Sequence, residues 1–191
     1  MVTQEDYEFA QQNPSFRQRF LDRIDLEDVG QYTKQVKYNP LAEEGEMIPT
    51  MRVRRSFGVR GGLIMPLNLG VIFKSTIEVY PSAFDRSFRP KLGDFLSVLI
   101  DHEGEHIRRG LTDPFLYIKA SMILDEDEMI KLGMEEEIQI YQSQLTNVRK
   151  RNCSKRFIRG IEDRLNTYSG AIQFVDCVRP PHKLYKPYLS S

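Results

Sequence analysis

Leu92-Gly93-Asp94-Phe95-Leu96-Ser97-Val98-Leu99-Ile100-Asp101-His102-Glu103-Gly104-Glu105-His106-Ile107-Arg108-Arg109-Gly110 is the stretch that decides how this chain is built. Leu92, Phe95, Leu96, Leu99, Ile100, Glu103 and Ile107 recur at three- and four-residue steps, which predicts a helix, and Gly110 is its stop signal. Wound as a uniform α-helix, Leu96, Leu99, Ile100, Glu103 and Ile107 share one stripe, and His102 and His106 border it beside Leu99. Asp94, Ser97, Asp101, Gly104, Glu105 and Arg108 take the opposite face. Glu103 is then the acid set into the apolar side, while Asp101 and Glu105 are expected to face water. A carboxylate in that position costs several kcal/mol unless a cation or a hydrogen-bonding partner lies beside it.

The chain has three histidines, and two of them sit four apart around Glu103. Residues i and i+4 of a helix lie one turn apart on one face, so two imidazoles can converge on one ion. The glutamate at i+1 flanks that ion and is placed to take a proton from a bound water. The plainer reading is that His102 and His106 are solvated or capping residues and that Glu103 pairs with an arginine.

Residues 92–110 resemble the active-site helix of the zincins, the His-Glu-x-x-His metallopeptidases. The resemblance covers this helix and its surroundings. It implies that His102 and His106 are zinc ligands, that Glu103 is the general base and that the substrate is a peptide or protein. It also implies that the strand before the helix borders the cleft and pairs with an extended substrate, a role for which Val71–Tyr80 is the candidate. Two positions depart from the common pattern. Asp101 stands where many zincins have a small or apolar residue, and Gly104-Glu105 is an unusual middle pair, a glycine inside a helix costing ~1 kcal/mol.

A catalytic zinc usually has three protein ligands and one open position. A third histidine six residues after His106 would continue the metzincin pattern, but Thr112 stands there. His182 lies in a proline-rich tail, so a glutamate on a later helix, as in the gluzincins, is the better reading. Glu126, Glu128, Glu135, Glu136 and Glu137 are the candidates. Met134, Ile138, Tyr141, Leu145 and Val148 define the expected buried stripe there, which puts Glu137 on it and points Glu136 away. Glu137-Ile138-Gln139-Ile140-Tyr141 also resembles the Glu-Ala-Asn-x-Phe segment of phage-repressor-cleaving metallopeptidases, although Ala and Asn are missing. Glu126 is the rival, because its distance from His106 resembles the thermolysin pattern. The Glu135–Glu137 run reads equally as a solvated acidic face for at least one of its members.

Outward from the helix, Val71, Phe73, Ile77 and Val79 alternate with Lys74, Thr76 and Glu78, the period of a half-buried strand closed by Pro81. Met51-Arg52-Val53-Arg54 is a second candidate strand, and Gly61-Gly62 reads as a turn. The first forty residues read as a polar, helical segment with Phe16, Phe20, Ile24 and Leu26 as a loose stripe, ended by Asn39-Pro40. Asp113-Pro114 opens a short helix. Asp125 with Glu128 forms the start of a longer helix to about Lys150. A last helix is expected within Ser154–Tyr168, before an extended tail from about 179 to 191. Strands followed mostly by helices predict a single α+β domain: a small twisted N-terminal sheet packed on the histidine-bearing helix, and a helical C-terminal half.

Length and composition set the remaining bounds. At 191 residues with 40% hydrophobic content, the chain can bury an ordinary core. Lys+Arg and Asp+Glu are equal at 27 each, so no net field favours nucleic acid or an anionic membrane. Two local basic clusters, Arg149-Lys150-Arg151 with Lys155, Arg156 and Arg159, and Arg52, Arg54, Arg55 and Arg60, read as solvated helix ends and surface, or alternatively as phosphate contacts of a DNA-linked protease. Cys153 and Cys177 form no close pair and are expected to be reduced. Without a secretory pattern or a run of ~20 apolar residues, a cytoplasmic location is the expectation. Tyr117, Tyr141 and Tyr168 are available to stabilise an oxyanion. A non-catalytic protein that keeps the metal helix as a binding element is the alternative from another class.

Overall fold

A computed structural model describes residues 2–40, 51–58, 72–87, 89–112 and 123–178. Helix α1 spans Gln4–Gln12 and is closed at its start by a capping box between Thr3 and Asp6. A single 3₁₀ turn at Pro14–Phe16 leads into the short α2, Arg17–Leu21. A further 3₁₀ turn, Glu27–Gln31, precedes strand β1, Thr33–Tyr38. Strand β2 is Met51–Gly58 and β3 is Ile72–Val79, and the three form a mixed sheet in the order β1-β3-β2. β3 runs parallel to β1 and antiparallel to β2. On it Ser75, Ile77 and Val79 are buried, while Thr76 and Glu78 are only partly covered, as the alternation predicts. The architecture is therefore α+β.

Several expectations need correction here. The first forty residues are not helical throughout, nor polar on every face. They contribute β1 and bury Tyr7, Ala10, Phe20, Leu21 and Val29 in the main core. β3 also cannot offer an edge to a substrate, because β1 and β2 occupy both of its sides. The Gly61-Gly62 turn, the Asp113-Pro114 helix and the extended tail lie outside the described residues. So do Tyr117 and His182.

What holds the central helix is largely aromatic. Tyr7, Phe20, Phe84 and Phe95 form one cluster, with Tyr7 and Phe95 centroids 5.2 Å apart and Phe20 and Phe95 at 5.6 Å. Fully burying each such side chain contributes roughly 1.5–3 kcal/mol. The Tyr7 hydroxyl donates within the cluster to the carbonyls of Ala83 (3.0 Å) and Arg89 (3.2 Å), so the phenol goes under without an orphaned polar group.

The central helix itself has two phases. It begins as α3, Leu92–Leu96, widens to a π-helical segment at Ser97–His102, and continues as α4, Glu103–Thr112, two residues past Gly110. α4 lies against β2 and β3, and Leu99, Ile100 and Ile107 join Met51, Ile77 and Val79 in the core. Helix α5, Glu126–Asn147, starts with the capping box foreseen between Asp125 and Glu128. Asn152, with φ of 54°, turns the chain, a position that a short polar side chain tolerates. Ser154 then caps α6, Lys155–Val178, which runs ten residues beyond Tyr168. Among the described residues no helix is long and apolar enough to cross a membrane.

The π segment breaks the uniform winding assumed from sequence, and the polar face of the helix is not a solvent face. Asp94, Ser97, Asp101 and Gly104 are all buried. Asp94 accepts from the Ser154 amide at 2.7 Å, and the neighbouring Gly93 sits so close to the Arg151 carbonyl that any Cβ would overlap it. Asp101 takes a two-pronged bond from Arg151 (3.0 and 3.2 Å), whose other edge holds Glu27. Gly104 has a packing reason as well, because a Cβ there would lie 2.8 Å from a methyl of Val29. Glu105 and Arg108 keep partial exposure, Glu105 pairing with Arg108 and Arg109.

Candidate metal centre

α5 packs along the π segment and brings its acidic run to the two histidines. The rings of His102 and His106 stand 5.2 Å apart. Nε2 of His106 is 3.1 Å from Glu137 Oε1, and Nε2 of His102 is 3.6 Å from Glu137 Oε2. One donor atom from each of the three residues lies within 4.8 Å of the others, which makes them a group that could hold a metal ion. An ion with four bonds of ~2.0–2.2 Å spaces its donor atoms about 3.3–3.6 Å apart, and the His106 and His102 separations, each to a different oxygen of Glu137, lie close to that range. Two imidazoles and one carboxylate suit a borderline cation.

Glu137, the carboxylate that the stripe argument favoured, is thus the one at the histidines. Glu126 is exposed in the first turn of α5, eleven positions and so about 16 Å along the helix from Glu137. Glu128 is spent on the cap of Asp125. Glu136 does not point away. Its Oε1 lies 3.2 Å from Nδ1 of His106, so the adjacent acids grip opposite nitrogens of one ring. The stripe is also phased differently: Ile140, Tyr141, Gln144 and Val148 are buried, while Met134 and Ile138 are only partly so.

No family model, curated protein or solved structure matches the chain. The chemistry of the site must therefore be argued from its own geometry.

Burial and charge set the protonation states. Burial drives His102 down to about 4, with the His106 charge adding to the effect, so its ring is neutral around pH 7. Burial also presses on His106, but hydrogen bonds to Glu136 and Glu137 outweigh it and carry its pKa up to about 10. Glu103 is buried between them and is raised to about 7, mainly by desolvation and further by Glu137. Burial works to raise Glu137 too, yet His106, His102 and Arg164 hold it below the usual carboxylate range. Among the described residues no arginine forms an ion pair with Glu103; Arg89 acts on it only through its field.

Of the tyrosines, Tyr141 reaches the site. Its ring centroid is 4.7 Å from that of His102, and its hydroxyl accepts from Arg164 at 3.0 Å. Tyr168 stacks behind it at 5.9 Å. Sequence reasoning missed Arg164 and Gln144. Arg164 sits on α6, whose packing no local pattern reveals, whereas Gln144 was marked by its place seven residues after Glu137. Cys153 is buried, which pushes its thiol up to about 12. In the basic cluster Arg151 is committed to Glu27 and Asp101, while Arg149, Lys150, Lys155, Arg156 and Arg159 are exposed. Arg52 is exposed, and the side chains of Arg54, Arg55 and Arg60 lie outside the described residues.

Proposed function

We propose that this protein is a zinc-dependent peptidase, with His102, His106 and Glu137 as the metal ligands and Glu103 as the proton carrier. The convergence of two imidazoles and one carboxylate, drawn from two packed helices, is the observation that carries this reading. A zinc ion held there would supply a Lewis acid for the peptide carbonyl and a water acidified to a pKa of ~7.

The rest belongs to the chain's own residues. Glu103, raised to about 7, sits near the point where a carboxylate can both accept a proton from water and return it to the departing amine. The nitrogen then leaves as a neutral amine when the C–N bond breaks. Tyr141 accepts a hydrogen bond from Arg164 and keeps its own O–H to donate, which suits it to a developing oxyanion. Glu136 fixes the tautomer and tilt of His106 through Nδ1, leaving Nε2 for the ion.

A second reading has its own support. His106 with a raised pKa, gripped by two carboxylates, is a satisfied buried ion-pair cluster that needs no metal. Metal analysis of protein purified without a histidine tag separates the two. The peptidase reading expects about one zinc per chain, most of it lost in His102→Ala and His106→Ala. Glu103→Gln should keep the zinc and lose cleavage of a mixed peptide library. Metal-free wild type after incubation with zinc, or undiminished cleavage by Glu103→Gln, overturns the proposal.

A further inference from the structure

Two buried polar atoms near the histidines have no hydrogen-bond partner: Nδ1 of His102 and Oε1 of Gln144. They belong to neighbouring groups, since the Gln144 carboxamide is close enough to act on the His102 ring as a hydrogen-bonding group. The contact nevertheless falls short of hydrogen-bond geometry in this structure. Gln144 is 1% exposed and His102 is 8% exposed, so water cannot readily serve either atom. A buried, unpartnered polar group costs roughly 1–3 kcal/mol, and two on neighbouring side chains ask for a common explanation.

The other end of the carboxamide is already fixed. Gln144 Nε2 donates to Ser97 Oγ at 3.1 Å. Ser97 and His102 are the first and last residues of the π segment. Five residues apart in an α-helix, they would point about 140° away from each other. The i→i+5 repeat of a π-helix stacks them instead, so one side chain on α5 can reach both. Gln144 lies on the same stripe of α5 as Glu137 and Tyr141, seven and three residues further on.

We propose that Gln144 is the positioning residue for His102: anchored by Ser97, its Oε1 accepts the Nδ1 proton and so presents the bare Nε2 lone pair toward His106 and Glu137. This inference rests on the metal reading above and deepens it. Each histidine then has a dedicated partner on α5, Glu136 for His106 and Gln144 for His102. The difference in partner has a chemical sense. A carboxylate on Nδ1 makes the ring more basic, whereas a neutral amide orients the ring without drawing a proton onto it. The amide thereby orients the His102 ring toward Glu137, as the Glu136 carboxylate orients that of His106.

The test reads the ring itself as well as the metal. In the metal-free protein, long-range ¹H–¹⁵N spectra should show His102 as the Nδ1–H tautomer. Gln144→Leu should mix the tautomers and weaken zinc binding by roughly 10–100-fold in chelator competition. Gln144→Glu, which keeps an acceptor of the same length, should restore the tautomer. Should Gln144→Leu fail to fold, Ser97→Ala releases only the anchor and should broaden the His102 signals with a smaller affinity loss. An Nε2–H tautomer in the wild type, or an unchanged tautomer in both Gln144→Leu and Ser97→Ala, overturns the assignment. If the wild type shows the Nδ1–H tautomer but binds no zinc, the metal reading falls and the Gln144–His102 pairing stands.

Discussion

Replacing Asp101 with alanine tests whether the residue before the first histidine is a surface charge or a strut. Read as an outward position on a uniform helix, it should change stability by no more than about 0.5 kcal/mol. The structure gives a different answer. The Asp101 side chain is 5% exposed and takes Arg151 Nε at 3.2 Å and Nη2 at 3.0 Å. Removing one partner of a buried pair costs about 3–5 kcal/mol, because it strands the other charge. Here Glu27, which is half exposed, still holds Arg151 at 2.7 Å and lessens the penalty. The expected loss is therefore about 2–4 kcal/mol, or a fall in Tm of roughly 5–15 °C for a protein of this size. Glu27→Gln should cost no more than about 1 kcal/mol, since its ion pair is largely solvated. That variant is preferable to glycine or alanine because Glu27 has φ of 54°, where a smaller residue would also alter the backbone preference. Urea unfolding at pH 7 in the presence of a chelator measures both, free of any contribution from bound metal. An Asp101→Ala loss below about 1 kcal/mol, or a Glu27→Gln loss as large, would refute the strut.

Three other outcomes follow from the same geometry. In zinc titrations Glu137→Ala should lose more than about 100-fold in affinity and Glu136→Ala roughly 10–100-fold, while Glu126→Ala stays at the wild-type value; a silent Glu136 would dismiss its hold on His106. Zinc uptake should strengthen as pH rises toward about 10, with a proton released from His106, visible as buffer-dependent heats in calorimetry. In the metal-free protein the sign is opposite: the raised pKa of His106 contributes stability that is complete below the ordinary imidazole value of 6.5 and disappears as pH rises through about 10, so a metal-free Tm that climbs over this range contradicts the assignment. Finally, Gly104→Ala should destabilise by about 1–2 kcal/mol against Val29 but stabilise by up to ~1 kcal/mol in a Val29→Ala background, where only helix propensity remains. Equal effects in both backgrounds would remove the packing reason for the glycine.

How far the sequence could be read depends on the range of the interaction involved. Local patterns were legible: the alternation of β3, the Asp125–Glu128 box and the helix around His102. Glu137 lies beside the histidines although Met134 and Ile138, on the stripe expected to carry it, are only partly buried. β1 was not, because Thr33-Lys34-Gln35-Val36-Lys37-Tyr38 carries few apolar residues and sits after a helical stretch that invites continuation. The supposed solvent face of the central helix failed for a related reason. Burial of Asp94 and Asp101 is made possible by Ser154 and Arg151, sixty and fifty residues away, and no local signal reports a distant partner. Glu136 was misplaced because two adjacent glutamates were assumed to diverge, whereas a ring with two nitrogens offers each of them a place. Spacing was most legible at His102 and His106, whose separation of four positions is met by rings 5.2 Å apart.

A π turn is what one surplus residue looks like once a helix has absorbed it. Upstream of Ser97 the helix is indexed to the 151–154 turn, through Gly93 and Asp94; downstream of His102 it is indexed to the sheet and, through His106, to α5. Winding the same six residues of 97–102 as regular α-helix, with none deleted, would rotate one half of the rod by about 100° relative to the other. Either the turn that holds Arg151 or the pair of imidazoles would then face the wrong neighbour. The irregularity works as a fixed phase coupling between two packing partners with incompatible spacing, and for that reason a uniform α-helical winding of the same residues, though better hydrogen-bonded in itself, should make a less stable protein.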